Sequence, residues 1–291
     1  MTRRRKMWFW VGGAVLFVVL IAVGVFLFQD RLVYFPAPYP TGRWDEVDAL
    51  RQKQQLGFEL EDRFFDASDG VHLHAWLAKN PKATPNGPFL LWFHGNAGNL
   101  TYFLDDYKAT FSNLPVEGLL VEYRGFGRSE GDPSEEGLYA DAEGAWTYLT
   151  QTLNVPPERI VVYGFSLGGG VATELASRHE PAGLVVQSSF TSIPDVANSI
   201  APVVPDSWVK SQMRSVDKVA QIHCPKLFVH STGDRLIPFE LGKQLFQAAS
   251  EPKAFYKIEG FGHNETLIGG GADYLNRLGQ FLKQCVPTAT N

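Results

Sequence analysis

Short apolar runs alternate with amphipathic segments along most of this chain. Runs dominated by apolar residues are typical of strands buried on both faces of a sheet, and they occupy 89–93, 117–123, 159–165, 182–187, 226–230 and 254–259. Segments with helical spacing lie between most of them, at 99–113, 134–153, 167–179, 238–250 and 270–285. Buried strands that alternate with helices predict an α/β fold, with a mostly parallel sheet and helices on both of its faces.

Two segments ahead of these runs have the two-residue period of half-buried strands. GFELEDRFFDA (57–67) and VHLHAWLA (71–78) flank Ser68-Asp69-Gly70, and Asp-Gly between alternating segments is a strong hairpin signal. We therefore expect a leading antiparallel hairpin at one edge of the sheet. His72 and His74 lie two residues apart on it. Since no Cys, Asp or Glu lies at a matching spacing, we interpret them as an exposed hairpin face and not as metal ligands.

The N-terminus contains a long apolar run. Residues 7–28 carry no charge and follow the basic residues RRRK (3–6). A helix needs roughly 20 apolar residues to cross a bilayer core, whereas a cleaved signal peptide has a shorter apolar region that ends at a small-residue site. The pattern predicts an uncleaved signal anchor, a single transmembrane helix within residues 1–28. The positive-inside rule places the N-terminus in the cytoplasm and residues 30–291 across the membrane.

Three further segments follow from the change in pattern. Residues 29–56 read as a juxtamembrane connector, with a proline-rich stretch and then a short exposed helix within RWDEVDALRQKQQL (43–56). Residues 57–286 read as the folded domain. An irregular stretch at about 189–224 predicts a small cap insert over the edge where open α/β sheets bind ligands.

Composition excludes several classes of function. The formal net charge is −5 over 291 residues, and no basic face with interleaved aromatic residues suggests a nucleic-acid partner. Cys224 and Cys285 are far apart and belong to no Cys/His cluster, which argues against a disulfide framework and a zinc site. No other pattern calls for a metal or an organic cofactor.

Two copies of Gly-x-Ser-x-Gly occur, around Ser129 and around Ser166. A serine nucleophile needs a sharp turn between a buried strand and a helix, which lifts the hydroxyl out at the edge of the sheet. Ser166 has that context, because RIVVYGF precedes it and LGGGVATELASR follows. Gly131-Asp132-Pro133 follows Ser129, so we interpret that copy as a glycine-rich connection at the mouth of the site.

The remaining members of a catalytic triad follow two other strands. Asp234 comes just after KLFVH and His263 just after AFYKIE, in the chain order Ser, Asp, His that this type of sheet uses. We expect His263 to take the proton of Ser166 and Asp234 to orient the imidazole.

An oxyanion hole requires two backbone donors. The N–H of Leu167, directly after the nucleophile, is one candidate, and the N–H of Asn96 in the loop LLWFHGNAGNL (90–100) is the other. His94 precedes the loop glycine on the strand side, so we interpret it as a structural histidine that holds the loop.

These motifs, taken in order, resemble those of the α/β-hydrolase superfamily. DRLVYFP, HGNAGN, EYRGFGRSEG, YGFSLGGG, GDRLIP and GFGHNE are similar to the N-terminally membrane-anchored serine hydrolases that include bud-emergence-type and depalmitoylase-like members. The resemblance spans about residues 30–285. It implies an esterase-like or thioesterase-like enzyme and carries the triad onto Ser166, Asp234 and His263.

The sequence thus predicts a membrane-anchored serine hydrolase that cleaves an ester or thioester, with a small-molecule or acylated substrate, through an acyl-enzyme on Ser166. One alternative is an aminopeptidase or amidase of the same fold, whose substrate amine the cap acids Asp195, Asp206 and Asp217 would hold. A non-catalytic binding protein is a weaker alternative, since the triad is complete.

Two glycosylation sequons bear on the compartment. Asn99-Leu-Thr and Asn264-Glu-Thr flank the oxyanion loop and the catalytic histidine, where a glycan would crowd the active-site mouth. This spacing argues against a glycosylating lumen. It favours a catalytic domain on the periplasmic side of a bacterial inner membrane.

Overall fold

An eight-stranded sheet organises the chain in the computed structural model, which describes residues 28–202 and 205–286 with isolated residues between 10 and 24. The strands in chain order are β1 Phe35–Pro36, β2 Glu59–Asp66, β3 His72–Lys79, β4 Phe89–Phe93, β5 Ala97–Gly98, β6 Glu117–Val121, β7 Ile160–Phe165, β8 Gly183–Gln187, β9 Lys226–Ser231 and β10 Lys253–Ile258. β1 and β5 form a separate two-stranded sheet, and the other eight strands form the main one. The helices are α1 Asp30–Val33, α2 Trp44–Gln52, α3 Leu104–Asn113, α4 Glu135–Thr147, α5 Leu167–Arg178, α6 Ile193–Ile200, α7 Phe239–Ala248 and α8 Thr266–Cys285.

The sheet has the strand order β10-β9-β8-β7-β4-β6-β3-β2. β2 and β3 form the predicted hairpin, and β3 pairs antiparallel with β6. The strands from β6 to β10 in this order pair in parallel. The predicted fold class is therefore confirmed, and the carboxyl ends of the parallel strands meet at one edge.

Helices cover both faces because successive side chains of the central strands point to opposite sides. On β4, Leu91 and Phe93 belong to one core cluster, while Leu90 and Trp92 belong to the other. The prediction that the last apolar run is buried on both faces was wrong. β10 is the end strand of the sheet, and among its side chains Ile258 alone is fully buried.

The segment ahead of the hairpin packs against the domain. We expected an exposed helix at 43–56, but α2 buries Trp44 and Val47. The Trp44 ring meets the Trp76 ring edge-on, with the centroids 5.8 Å apart. The helix therefore covers one face of β3, although its sequence is largely polar.

The stretch between β8 and β9 leaves the carboxyl end of β8 and, since the two strands are parallel, returns to the amino end of β9. It contains α6 and short 3-10 turns at Asp206–Trp208, Ser215–Asp217 and Val219–Gln221. Phe190 and Met213 anchor it in the main core cluster.

Within the described residues, no helix has both the length and the apolar character needed to cross a membrane. Most of the predicted anchor, residues 1–28, lies outside the described residues.

Candidate active site

Ser166 occupies a strained turn between β7 and α5. Its φ of 55° and ψ of −118° lie outside the helical and strand regions, a conformation that costs energy and is typical of functional sites. A Cβ at Gly164 would lie 2.2 Å from the carbonyl oxygen of Gly168, and a Cβ at Gly168 would lie 2.2 Å from that of Phe93. The turn therefore requires glycine on both sides of the serine.

Asp234 and His263 converge on Ser166 from the ends of β9 and β10. The Nε2 of His263 lies 2.9 Å from the Oγ of Ser166, and its Nδ1 lies 2.6 Å from Oδ2 of Asp234. The three side chains thus form one hydrogen-bonded chain in which a base contacts a hydroxyl and an acid orients the base.

The carboxylate of Asp234 is held in its ionised form. Its Oδ1 accepts hydrogen bonds from the N–H groups of Leu236 and Ile237, at 3.0 and 2.9 Å. Burial opposes ionisation, but the hydrogen bonds from His230 and His263 outweigh it and hold the pKa of Asp234 below its usual range. His230, whose Nε2 is 3.3 Å from Oδ2, is a second partner that the sequence interpretation missed.

The loop that contains Asn96 lies directly against the nucleophile. A Cβ at Gly95 would be 3.5 Å from the Cβ of Ser166, and Asn96 is the next residue. The carbonyl oxygen of Asn96 accepts a hydrogen bond from the N–H of Phe35, and its side-chain amide donates to the carbonyl of Val33. Neither contact uses the backbone N–H of Asn96. Leu167 begins α5, where the first N–H groups lack intrahelical acceptors. Both candidate donors therefore belong to segments that adjoin Ser166.

Ser129 lies elsewhere and is engaged by backbone. Its hydroxyl donates to the carbonyl of Glu122 and accepts from the N–H of His74, both at 2.9 Å. It joins β3 to the chain after β6, which gives it a structural role.

The interpretation of His74 as exposed was wrong, while His72 is exposed. His74 is fully buried, with Nε2 2.7 Å from Oδ1 of Asp62 and Nδ1 3.9 Å from Oε2 of Glu122. Burial disfavours its charged form, but the two carboxylates raise its pKa overall. Within the described residues, no three His, Cys, Asp or Glu side chains converge as a metal site.

Glu122 links this cluster to the oxyanion loop. The side chain is fully buried and accepts the N–H of Leu100 at 3.1 Å, with the Nε2 of His94 at 3.4 Å. Burial opposes its ionisation, but His74 and His94 lower its pKa overall. His94 also places Nδ1 2.7 Å from the carbonyl oxygen of Gly95. The sequence interpretation missed Glu122, since a single acid after an apolar run carries no distinctive signal.

Ser189 contacts the backbone of the nucleophile. Its hydroxyl donates to the carbonyl of Ser166 at 2.8 Å. A Cβ at Gly169 would lie 2.3 Å from the Oγ of Ser189. Gly169 and Gly170, which follow the motif in the sequence, indicate that another segment packs closely against the start of α5. The sequence alone does not show that this segment contains Ser189.

Comparisons with known proteins agree with this fold. The family model for the alpha/beta hydrolase fold matches residues 88–211. Protein bem46 of Schizosaccharomyces pombe is 31% identical over 281 residues, covering 94% of this chain and 92% of its own. The chain belongs to the α/β-hydrolase family.

Other members of the α/β-hydrolase family support the predicted branch. An uncharacterised protein of Mycobacterium tuberculosis is 33% identical, covering 92% of this chain and 93% of its own. Human alpha/beta hydrolase domain-containing protein 17B is 34% identical, covering 70% of this chain and 69% of its own. A solved esterase of Pyrococcus furiosus shares the fold with a TM-score of 0.68 at 19% identity, covering 86% and 98% of the two chains. The predicted α/β-hydrolase resemblance is therefore confirmed.

Proposed function

We propose that this α/β-hydrolase cleaves carboxylic ester or thioester bonds through an acyl-enzyme on Ser166. The observation that carries the proposal is the hydrogen-bonded chain from Ser166 through His263 to Asp234. A serine hydroxyl is a weak nucleophile, and this arrangement supplies the base and the orienting acid that it needs.

The geometry supports a two-step mechanism. Nε2 of His263 accepts the proton as Oγ of Ser166 attacks the substrate carbonyl, and Asp234 stabilises the resulting imidazolium. The N–H groups of Leu167 and Asn96 stabilise the oxyanion. The imidazolium then protonates the leaving group, and a water molecule activated by His263 releases the acyl group from Ser166.

Membrane attachment through residues 1–28 belongs to the same proposal. The support is the uncharged run at 7–28, which is long enough for a bilayer core. With the basic residues 3–6 ahead of it, the run favours a cytoplasmic N-terminus and a catalytic domain across the membrane. A tether of this kind would supply amphiphilic or acylated substrates at the bilayer surface.

The amidase alternative loses support from the partners of the cap acids. Asp195 accepts from Thr191 and Ser192. Asp206 accepts from the side chain of Asn198, and Asp217 pairs with Arg214. Each carboxylate therefore already has a partner within the cap, which leaves it less suited to hold a substrate amine.

Labelling with a fluorophosphonate probe tests the nucleophile. We expect Ser166→Ala to abolish labelling and Ser129→Ala to retain it, since the Ser129 hydroxyl bonds only to backbone in this structure. Labelling that depends on Ser129 would overturn the assignment. Comparing the hydrolysis of p-nitrophenyl butyrate with that of aminoacyl-anilides separates esterase from amidase activity.

A further inference from the structure

Large apolar side chains are exposed on the segments that follow the parallel strands. Tyr102 follows β4, Leu236 follows β9 and Ile268 follows β10, while Ile200 and Trp208 lie in the segment between β8 and β9. Ile268 is 76% exposed, Ile200 is 70% exposed and Trp208 is 60% exposed. We name these five residues the apolar rim. Monomeric soluble domains rarely cluster such side chains without a partner.

Three residues of the apolar rim lie on the same segments as residues of the candidate active site. Leu236 lies two positions after Asp234, and Ile268 lies five positions after His263. A Cβ at Gly98 would be 2.6 Å from the ring of Tyr102, so this ring lies on the oxyanion loop. Because these segments leave the carboxyl ends of the parallel strands, the rim lies at the edge of the sheet that carries the catalytic residues.

The chain enters the domain beside the apolar rim. The side-chain amide of Gln29 donates to the carbonyl of Trp208 at 3.3 Å, and its Oε1 accepts from the N–H of Lys210 at 2.5 Å. The ammonium of Lys210 also pairs with Asp30. These contacts place the end of the uncharged run, at Phe28, next to Trp208.

The described residues of that run do not cover the rim. Leu16, Phe17 and Leu20 are exposed by 59–65%, whereas packing against the domain would bury them. Phe28 itself is 57% exposed. The described residues of the run and the rim thus both present apolar surface, and the rim lies where the run ends at Phe28.

We propose that the apolar rim is a bilayer-docking surface that holds the mouth of the active site against the membrane. The partner is the lipid surface in which residues 7–28 are predicted to lie, and the substrates are acyl groups exposed at that surface. Affinity for such a surface scales with the apolar area that it buries, and tryptophan favours the interface. The acyl-substrate part rests on the function proposed above.

The test uses the full chain reconstituted in phosphatidylcholine vesicles. One variant combines Ile200→Ser, Trp208→Ser and Ile268→Ser. The matched control is Phe64→Ser, which removes a side chain that is 47% exposed on the hairpin at the other end of the sheet order. Each protein is assayed on soluble p-nitrophenyl butyrate and on a fluorogenic long-chain acyl ester embedded in the vesicles.

We expect the triple variant to lose at least about tenfold in kcat/KM on the embedded ester, roughly 1.4 kcal/mol, and to stay within about twofold on butyrate. The control should match the wild type on both substrates. Equal losses on both substrates, or no loss on either, would overturn the proposal. So would a change of oligomeric state in detergent, because the rim would then bind a second copy of the chain.

A second readout is independent of catalysis. Brominated phosphatidylcholine should quench the tryptophan fluorescence of the wild type more strongly than that of Trp208→Phe, since Trp208 would contact lipid. Identical quenching contradicts docking even if both esters are hydrolysed. Conversely, if neither ester is hydrolysed but the quenching difference is present, the proposed hydrolase function fails and the docking surface stands.

Discussion

The side-chain amide of Asn99 donates a hydrogen bond to the carbonyl oxygen of Thr41 at a distance of 2.7 Å. The same amide donates to Ala37 at 2.8 Å, while its oxygen accepts from the backbone and the hydroxyl of Thr101. One buried side chain therefore joins the segment that enters the domain to the oxyanion loop. The parallel pairing of Phe35 with Ala97 reinforces this junction.

Replacing Asn99 should damage both stability and catalysis. In Asn99→Ala the carbonyls of Ala37 and Thr41 each lose one of two donors, and the buried N–H and hydroxyl of Thr101 lose an acceptor. We expect this to cost about 2–3 kcal/mol of unfolding free energy. Because the oxyanion loop loses its support, we also expect kcat for p-nitrophenyl butyrate to fall by about tenfold or more.

Asn113→Ala is the control for that substitution, because Asn113 is exposed and bonds within its own helix. It should change stability by less than about 0.5 kcal/mol. Wild-type kcat in Asn99→Ala, measured under conditions where the variant is folded, would show that the junction does not position the loop.

Asp234→Asn should remove most of the activity while the protein stays folded. The Oδ1 of Asp234 accepts two backbone N–H groups, and its Oδ2 faces Nδ1 of His263. An asparagine that keeps the backbone contacts would point its NH₂ group at Nδ1. The imidazole would then carry its proton on Nε2 and could not accept the proton of Ser166. We expect kcat to fall by about 10³–10⁴-fold.

Circular dichroism and thermal denaturation establish whether Asp234→Asn remains folded. The wild-type pH profile is a second check. Since the pKa of Asp234 is held below its usual range, this carboxylate should stay ionised throughout the active range, and its protonation should not limit activity there. A loss of less than tenfold in kcat would contradict the role of Asp234.

The sheet and the serine–histidine–acid constellation could be predicted because their signals are local. A buried strand followed by Gly-x-Ser-x-Gly and a helix defines the turn at Ser166 within a few residues. Asp234 and His263 each follow an apolar run. Since parallel strands end at one edge, local patterns sufficed to bring the three residues together.

The environment of His74 could not be predicted in the same way. The alternation in β3 shows which residues share a face, but it does not show what covers that face. The ring of Trp44 lies 5.9 Å from that of His74, because α2 packs over the hairpin. Glu122 comes from a third segment. The burial therefore depends on long-range packing, which one sequence does not show.

The glycines after the nucleophile should differ sharply in tolerance. In Gly168→Ala the new Cβ would lie 2.2 Å from the carbonyl oxygen of Phe93 and 2.6 Å from that of His94. These are backbone atoms beside the oxyanion loop, so the strand or the helix must shift. We expect a loss of about 3 kcal/mol in unfolding free energy, together with much slower fluorophosphonate labelling.

Gly170→Ala is the matched variant two positions along α5. Its Cβ would first meet the Sδ of Met213 at 3.3 Å, and a flexible thioether can move. Alanine also favours the helix by up to about 1 kcal/mol, so we expect stability within about 1 kcal/mol of the wild type and normal labelling. Urea denaturation of both variants provides the comparison, and equal destabilisation would contradict the geometry.

Asp106 should make the protein less stable at neutral pH than an asparagine in its place. Asp106 lines a narrow crevice with Tyr163, Gln187 and Tyr274, and burial, with the charge of Asp105, raises its pKa to about 6. The folded state thus binds this proton more tightly than the unfolded chain, where the pKa is about 4. The ionised carboxylate therefore destabilises the folded state. This destabilisation is absent below pH 4, grows between about pH 4 and 6 and is complete above that range.

Asp106→Asn should therefore raise the unfolding free energy by about 1–2 kcal/mol at pH 7.5 and by almost nothing at pH 4. Urea denaturation at both pH values measures the difference. Asp273→Asn, on the exposed side of α8, is the control and should show no such pH-dependent gain. If Asp106→Asn were equally stabilising at both pH values, the prediction would be wrong. The gain would then come from packing, because the ionised carboxylate that the amide replaces is present only at the higher pH.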